Sequence, residues 1–283
     1  MTNAPRQYGL KPLLILIFAC SSHLVSAGDR PTPFIAVYDV HHSGARVAET
    51  TVMLTRINRD SYSLSSTTHP RGFASLLRKT PVIEHSRFEF TEYNHMHGIA
   101  YEFDDGSSSG KRNRSISFDW DAGKAVSKYK DETYEIELSQ PVGDRLAMQA
   151  LLMRDLGEES LRDSYRLLDR DAIKTYLYTP LGEELLDTPA GRFNTVKIKQ
   201  QREGSSRMYH IWLAREHDFA IVKMAQFKND KPRTVLTATR VQSGVADTLN
   251  YGSTPPGDSN SIKVINVTKS GPVLPTPPED VER

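Results

Sequence analysis

A chain of 283 residues has room for one large domain or two small ones, and β-rich folds often run past ~200 residues as a single unit. Its 38% hydrophobic and 25% charged residues are ordinary for a soluble globular protein. The 36 basic and 35 acidic side chains nearly cancel, and removing Arg6 and Lys11 with the first 27 residues leaves 34 against 35. That balance argues against broad nucleic-acid or anionic-membrane binding through bulk charge.

Residues 1–27 have the form of a secretory signal. Arg6 and Lys11 flank an apolar core, Leu13–Ala19, which leads to the small residues Val25-Ser26-Ala27 of a cleavage site. The core is far shorter than the ~20 residues that span a bilayer, so it predicts export rather than a retained membrane helix. The single cysteine, Cys20, follows Ile17-Phe18-Ala19 in a setting like a bacterial lipoprotein box, with Ala19 fitting and Phe18 fitting poorly. Two readings stand: a cysteine inside a signal cleaved after Ala27, or a lipidated first residue that anchors the domain to a membrane. Under either, no disulfide forms within the exported domain and stability rests on the core.

Phe34–His41 is the first predicted strand. Ser43-Gly44 turns into Val47–Ile57, and Asn58-Arg59-Asp60 turns again into Tyr62–Ser66. Ser75–Lys79 reads as a helical turn near an opening of the sheet. Alternation recurs at Phe88 and Phe90, at Ile99, Tyr101 and Phe103, and at Ile116, Phe118 and Trp120; it is cleanest at Tyr134, Ile136 and Leu138. Strands this frequent, without regular helical insertions, predict a continuous antiparallel sheet rather than βαβ units.

The period breaks at Asp144–Leu156, which reads as a helix. Asp144 is placed to cap its first turn and Gly157 to close it in the left-handed conformation. From Ala147 to Met153 only Gln149 is polar, so the helix is expected to be buried. Leu185–Val241 then forms a meander. Pro189 and Gly191 suit a short hairpin, Val196 and Ile198 alternate with Lys197 and Lys199, and strands follow at Met208–Leu213, Phe219–Phe227 and Thr234–Val241. Residues 243–283 hold six of the 16 prolines and few large apolar side chains, which predicts a disordered or linker-like tail. Within it, Ile262–Val267 is the stretch with strand character.

Signals for chemistry are thin. His95 and His97 would share a face of a strand, yet a structural zinc site wants four ligands, commonly with cysteine, and their setting reads as a turn. Glu183 and Glu184 point to opposite faces of a strand, so by themselves they cannot form the facing pair that glycoside hydrolysis needs. Asp104-Asp105 runs into the loop Gly106–Gly110. No phosphate loop occurs.

Several separated elements carry a resemblance. They are Tyr38-x-Val40 followed by Gly44 and Glu49; Tyr62-x-Leu64-x-Ser66 leading to Gly72 and Ser75-Leu76-Leu77; and Phe118-Asp119-Trp120. Asp144 before the helix, Thr188-Pro189-Ala190-Gly191-Arg192-Phe193 and Trp212-Leu213 complete the series. In this order they resemble a family of exported bacterial proteins known as domain of unknown function 3108, over about Phe34 to Val241. One departure is Phe219-Ala220-Ile221, where a proline is expected after Trp212. The resemblance implies an envelope-facing domain similar to the curved sheets of lipoprotein carriers, in which a sheet wraps helices around an apolar cavity. It implies no catalytic residues.

The expected architecture is mainly β: a signal peptide over 1–27, a strongly curved antiparallel sheet over 28–242, and a Pro-rich flexible tail over 243–283. The sheet is expected to form a half-barrel or β-spiral around one buried helix. The expected role is that of a non-enzymatic exported protein of the cell envelope, in the periplasm, binding an apolar or amphipathic ligand such as an acyl chain in the concave face. No cofactor, metal or nucleic acid is expected. Phe88, Phe118, Trp120, Leu151, Leu152 and Trp212 are the candidate lining residues; Phe73, Leu76 and Leu77 are candidates for exposed apolar contact. The alternative is an interaction module that docks another envelope protein, and a third option is a carbohydrate-active enzyme.

Overall fold

Alternate residues of β1 (Phe34–His42), namely Phe34, Ala36, Tyr38 and Val40, are buried, as a strand with one face on a core requires. The computed structural model describes residues 30–228 and 231–244. The signal and Cys20 readings and nearly all of the tail lie outside those residues.

From β1 the chain runs outward as a meander through β2 (Ala45–Arg56), β3 (Ser61–Pro70), β4 (Val82–Phe90), β5 (Met96–Asp104), β6 (Arg114–Asp119), β7 (Lys124–Tyr129) and β8 (Glu132–Glu137). It then crosses to the other edge, β9 (Gly143–Asp144). From there it returns through β10 (Ser164–Asp169), β11 (Ala172–Thr188), β12 (Gly191–Arg202), β13 (Arg207–Ala214) and β14 (Ala220–Lys228) to β15 (Lys231–Ser243). Pairing of β15 with β1 completes one 15-stranded sheet.

That crossover dictates the curvature. Laid flat, such a sheet would be roughly 65 Å wide at ~4.8 Å per strand. The link Leu138–Val142 joins its two edges, and a chain of that length reaches no more than ~20 Å. The sheet must therefore curl until its β9 edge comes back onto the other arm, and it does so where Gly98 N of β5 donates to Val142 O at 3.0 Å, beside β9. Strands β6 to β8 continue past this seam, so the sheet is curved but not closed. Edge strand β8 exposes Glu132, Glu135 and Glu137, charges that discourage pairing with another chain.

Inside the curl lies α2 (Met148–Gly157), with Met148, Gln149, Ala150, Leu152, Met153, Arg154 and Asp155 buried. A short helix, α1 (Ala74–Leu77), sits between β3 and β4 and buries none of its residues. Three expectations change in detail. The helix starts at Met148, because Asp144 belongs to β9; its carboxylate accepts from Leu146 N at 2.8 Å and Ala147 N at 3.0 Å, capping the turn ahead of the helix. The left-handed residue beyond the helix is Glu159 (φ 52), not Gly157. And β9 pairs with β10 in parallel, with α2 as the connection, so the sheet is not antiparallel throughout.

The turn after Trp212, where the expected proline is missing, is a 3-10 turn over Arg215–His217 followed by two left-handed residues, Asp218 (φ 50) and Phe219 (φ 58). Phe219 N donates to Ala214 O at 2.8 Å and closes it. At the tip of β11–β12, Gly191 takes φ 138, as the hairpin demands.

Candidate functional site

Between α2 and strands β10 to β14 the concave side leaves a cavity of about 220 Å³. One wall is apolar: Met148 and Leu152 of α2, Leu167 of β10, Ile211 of β13, and Ile221 and Met224 of β14. The lining also holds charges: Glu84 of β4, Arg114 of β6, Arg145 between β9 and α2, and Asp169 at the end of β10. The rim carries Arg170, Arg202, Ser205 and Arg207, half-buried on the hairpins β10–β11 and β12–β13. In a meander alternate turns share an end, so these hairpins stand at the same end of the sheet as the β1–β2 turn and the connection that bears α1.

The volume sets what can enter. It exceeds the ~150 Å³ of a cavity that admits benzene and falls short of the ~300–1,000 Å³ usual for drug-sized ligands. One head group or one short chain fits; a diacyl lipid does not.

These charges are held by buried bonds. Arg145 Nε and Nη2 donate to the two oxygens of Glu84 at 2.7 and 2.8 Å, and the Tyr101 hydroxyl donates to Glu84 at 2.7 Å. Burial by itself would raise the pKa of Glu84, but the Arg145 guanidinium, with Arg114 and the Tyr101 hydroxyl, outweighs it and holds the carboxyl below its ordinary value. Burial, and the adjacent Glu84 charge, push the Tyr101 phenol up. Arg114 Nη1 lies 3.5 Å from Asp169 Oδ1, and its guanidinium sits 4.7 Å from the Phe103 ring centroid. Arg114 Nε, buried, has no hydrogen-bond partner. The fully buried Asp144 accepts from Ser86 Oγ at 2.6 Å, and burial pushes its pKa up to about 6. Counted together, the lining holds five arginines and two carboxylates.

A second recess, of about 570 Å³, lies along β4 to β8. There Glu102, Asp104, Asp131 and Glu132 balance Lys111, Arg114, Lys128 and Lys130. It offers neither an apolar wall like that of the α2 cavity nor an excess of one sign.

Of the nine residues singled out in the sequence, Leu152 lines the α2 cavity. Leu151 is half-buried and packs against both core clusters. Phe88 is buried in an aromatic group, 5.7 Å from Tyr62 and 5.9 Å from Phe90. Phe118 stacks on Trp120 at 6.2 Å, and Trp120 stacks on His97 at 3.8 Å while its Nε1 donates to Gly98 O at 2.7 Å. Trp212 stands on the face of β13 away from Ile211, with Lys197 and Lys223 Nζ each 4.8 Å from its ring. Phe73, Leu76 and Leu77 are 74%, 75% and 78% exposed. The cavity that the resemblance implied to be apolar also holds charges in its lining. Its arginines went unread, although Arg114 shares the inward parity of Ile116 and Phe118. Among the described residues no group of three or more His, Cys, Asp or Glu is arranged to hold a metal ion.

The curled sheet is shared with a solved structure described as a β-barrel-like protein of domain of unknown function DUF1849 from Brucella abortus. The two are 11% identical with a TM-score of 0.51, covering 76% of this chain and 98% of that one. Weaker similarity links it to MucB (10% identity, TM-score 0.34, 80% and 59% covered). A protein with a YmcC-like fold from Bacteroides fragilis is comparable (9%, 0.33, 75% and 97%). No curated protein matches the chain. The chain belongs to the family described as protein of unknown function (DUF3108), whose family model matches residues 37–234.

Proposed function

We propose that the protein is a non-enzymatic component of the cell envelope that holds an apolar or amphipathic ligand on the concave side of its sheet. The observation that carries this reading is the α2 cavity of about 220 Å³, apolar along Met148, Leu152, Ile211 and Ile221 and open at one end of the sheet. A buried helix inside a curved sheet ordinarily fills its core to near-crystalline density, so retained space of this size marks a binding site. Export to the periplasm is supported by the N-terminal sequence, Arg6 to Ala27. No helix among the described residues is long and apolar enough to cross a membrane.

The test is uptake of the fluorescent apolar probe N-phenyl-1-naphthylamine by the full chain, alongside mass spectrometry of molecules extracted after native purification. Saturable uptake that Leu152→Trp abolishes, by filling the cavity, is the expected result. Uptake that is absent, or indifferent to Leu152→Trp, would sink the reading.

A second reading, docking of another envelope protein, draws support from α1. Phe73, Leu76 and Leu77 form an exposed apolar group that nothing in the described fold covers. Replacing all three with serine should leave thermal stability within about 0.5 kcal/mol of the parent, as for most surface positions. The same change should abolish capture of a partner. Capture that survives it rules this surface out.

A further inference from the structure

We infer that the open edge of β11, Thr179–Leu185, is a site of strand addition, and that its occupant is this chain's own segment Ile262–Val267. The inference goes beyond the carrier reading and stands independently of it.

The topology leaves the edge open. Strand β10 pairs with β11 only from Ala172 to Leu177, whereas β12 pairs with it as far as Thr188. One further bond, from Tyr178 N to Asp163 O at 2.8 Å, ends the contact on the β10 side. From Thr179 to Leu185 every residue is exposed. Among the described residues, no backbone group outside β12 bonds to the backbone of this stretch. A strand with one neighbour turns part of its N–H and C=O groups to water, which makes it a template for another extended chain. Pro180, a residue that sheets tolerate at their edges, stands near its start. Leu181 and Leu185, 44% and 59% exposed, add apolar surface that an added strand would shield.

The route of the chain selects the occupant. At the tip of β11–β12, Ala190 N donates to Ala238 O of β15 at 3.1 Å. The hairpin tip therefore lies beside the strand from which residues 245–283 depart. Ile262–Val267 lies outside the described residues, and it is the stretch of that tail with the composition of a strand. The path from Gly244 back along β15 to Ala238, and from Ala190 down β11 to Leu185, is roughly 40 Å at ~3.3 Å per residue. The chain from Gly244 to Ile262 reaches up to ~60 Å, so the segment arrives at the edge with slack.

Charge orders the alternatives. Thr179–Thr188 carries Glu183, Glu184 and Asp187 and no base, while Ser261–Ser270 carries Lys263 and Lys269 and no acid. Arg215, Lys197 and Arg192 already answer the three acids, so charge chooses among occupants and the backbone supplies the binding. A second copy of β11 laid on this edge would set one acidic run against another.

The experiment is hydrogen exchange on the full chain, read at single amides by NMR. The amides between Leu181 and Leu185 that face away from β12, and those of Ile262–Val267, should exchange at least about tenfold more slowly than in a Val264→Pro variant, which breaks the added strand. Protection in the rest of the sheet should be the same in both proteins. Should Val264→Pro fail to fold, Val264→Gly/Ile265→Gly makes the same test without proline. Edge amides that exchange freely, or whose protection is indifferent to these variants, would overturn the inference. Indifferent protection that grows with protein concentration would overturn it in favour of a second copy on the edge.

Discussion

Burial raises the pKa of Asp144 to about 6, although Ser86 Oγ and the N–H groups of Leu146 and Ala147 favour its ionised form. A carboxyl whose pKa is higher folded than unfolded stabilises through its neutral form. Its contribution is complete below the unfolded value of ~3.9, is lost as pH rises through about 6, and is constant above that. The ionisation penalty at neutral pH is on the order of 3 kcal/mol. Asp144→Asn keeps an acceptor for the backbone and should be at least as stable as the parent at neutral pH. Urea denaturation across roughly pH 4 to 6 should show the parent losing stability and the variant losing less; equal slopes would refute this. Glu84 carries the opposite sign. Its pKa is lowered, so its contribution is present above the unfolded value and is lost as acid protonates it. Glu84→Gln strands Arg145 and should cost about 3–5 kcal/mol, and Glu84→Gln/Arg145→Met should cost less than the two single changes together, as read by denaturation. Both acids were legible in principle, since Glu84 shares the inward parity of Phe88 and Phe90. An alternation scan that follows only apolar side chains passes over a buried charge on the same face.

The helix α2 holds the two core clusters apart and together: Ala150 and Met153 pack into one, Met148 and Leu152 into the other. Leu152→Ala should lower stability by about 2–5 kcal/mol in chemical denaturation and enlarge the cavity beside α2. At the seam, a Cβ on Gly98 would lie 2.7 Å from the Phe118 ring, whose retreat is blocked by its stack on Trp120. A Cβ on Gly143 would meet Met96 Sδ at 2.8 Å, the flexible end of an unbranched side chain. Gly98→Ala should therefore cost about 1–3 kcal/mol and Gly143→Ala visibly less, which thermal melts of the two variants will compare. Strands with one clean inner face, such as β1 and β3, could be read directly from their alternation. The 17-residue β11 could not before Leu185, because Pro180, a bulge at Pro180–Gly182 and mostly exposed side chains erase the period. Strand β7 falls between turns and has only Ala125, Val126 and Tyr129 as apolar residues. The buried pair Arg154–Asp155 at the far end of α2, with the Tyr165 hydroxyl donating to Asp155 at 2.7 Å, left no mark in an apolar pattern.

At the scale of the molecule, the crossover Leu138–Val142 turns local alternation into a curled wall. Its shortness was visible in the sequence only once both neighbouring strands were known, and β9 is two residues long. The cavity is harder still to foresee. It depends on twist accumulated across the sheet, which brings Arg114 of β6 within reach of Asp169 of β10 from opposite arms of the meander. The chain enters and leaves through the middle of that wall: Phe34 pairs with Ser243, and Gly244 N donates to Pro33 O at 2.7 Å. Both exits lie at the pole remote from Arg202 and Arg207. A tether ahead of Arg30, or cargo fused beyond Gly244, therefore joins the sheet at the end opposite the arginines that line the cavity.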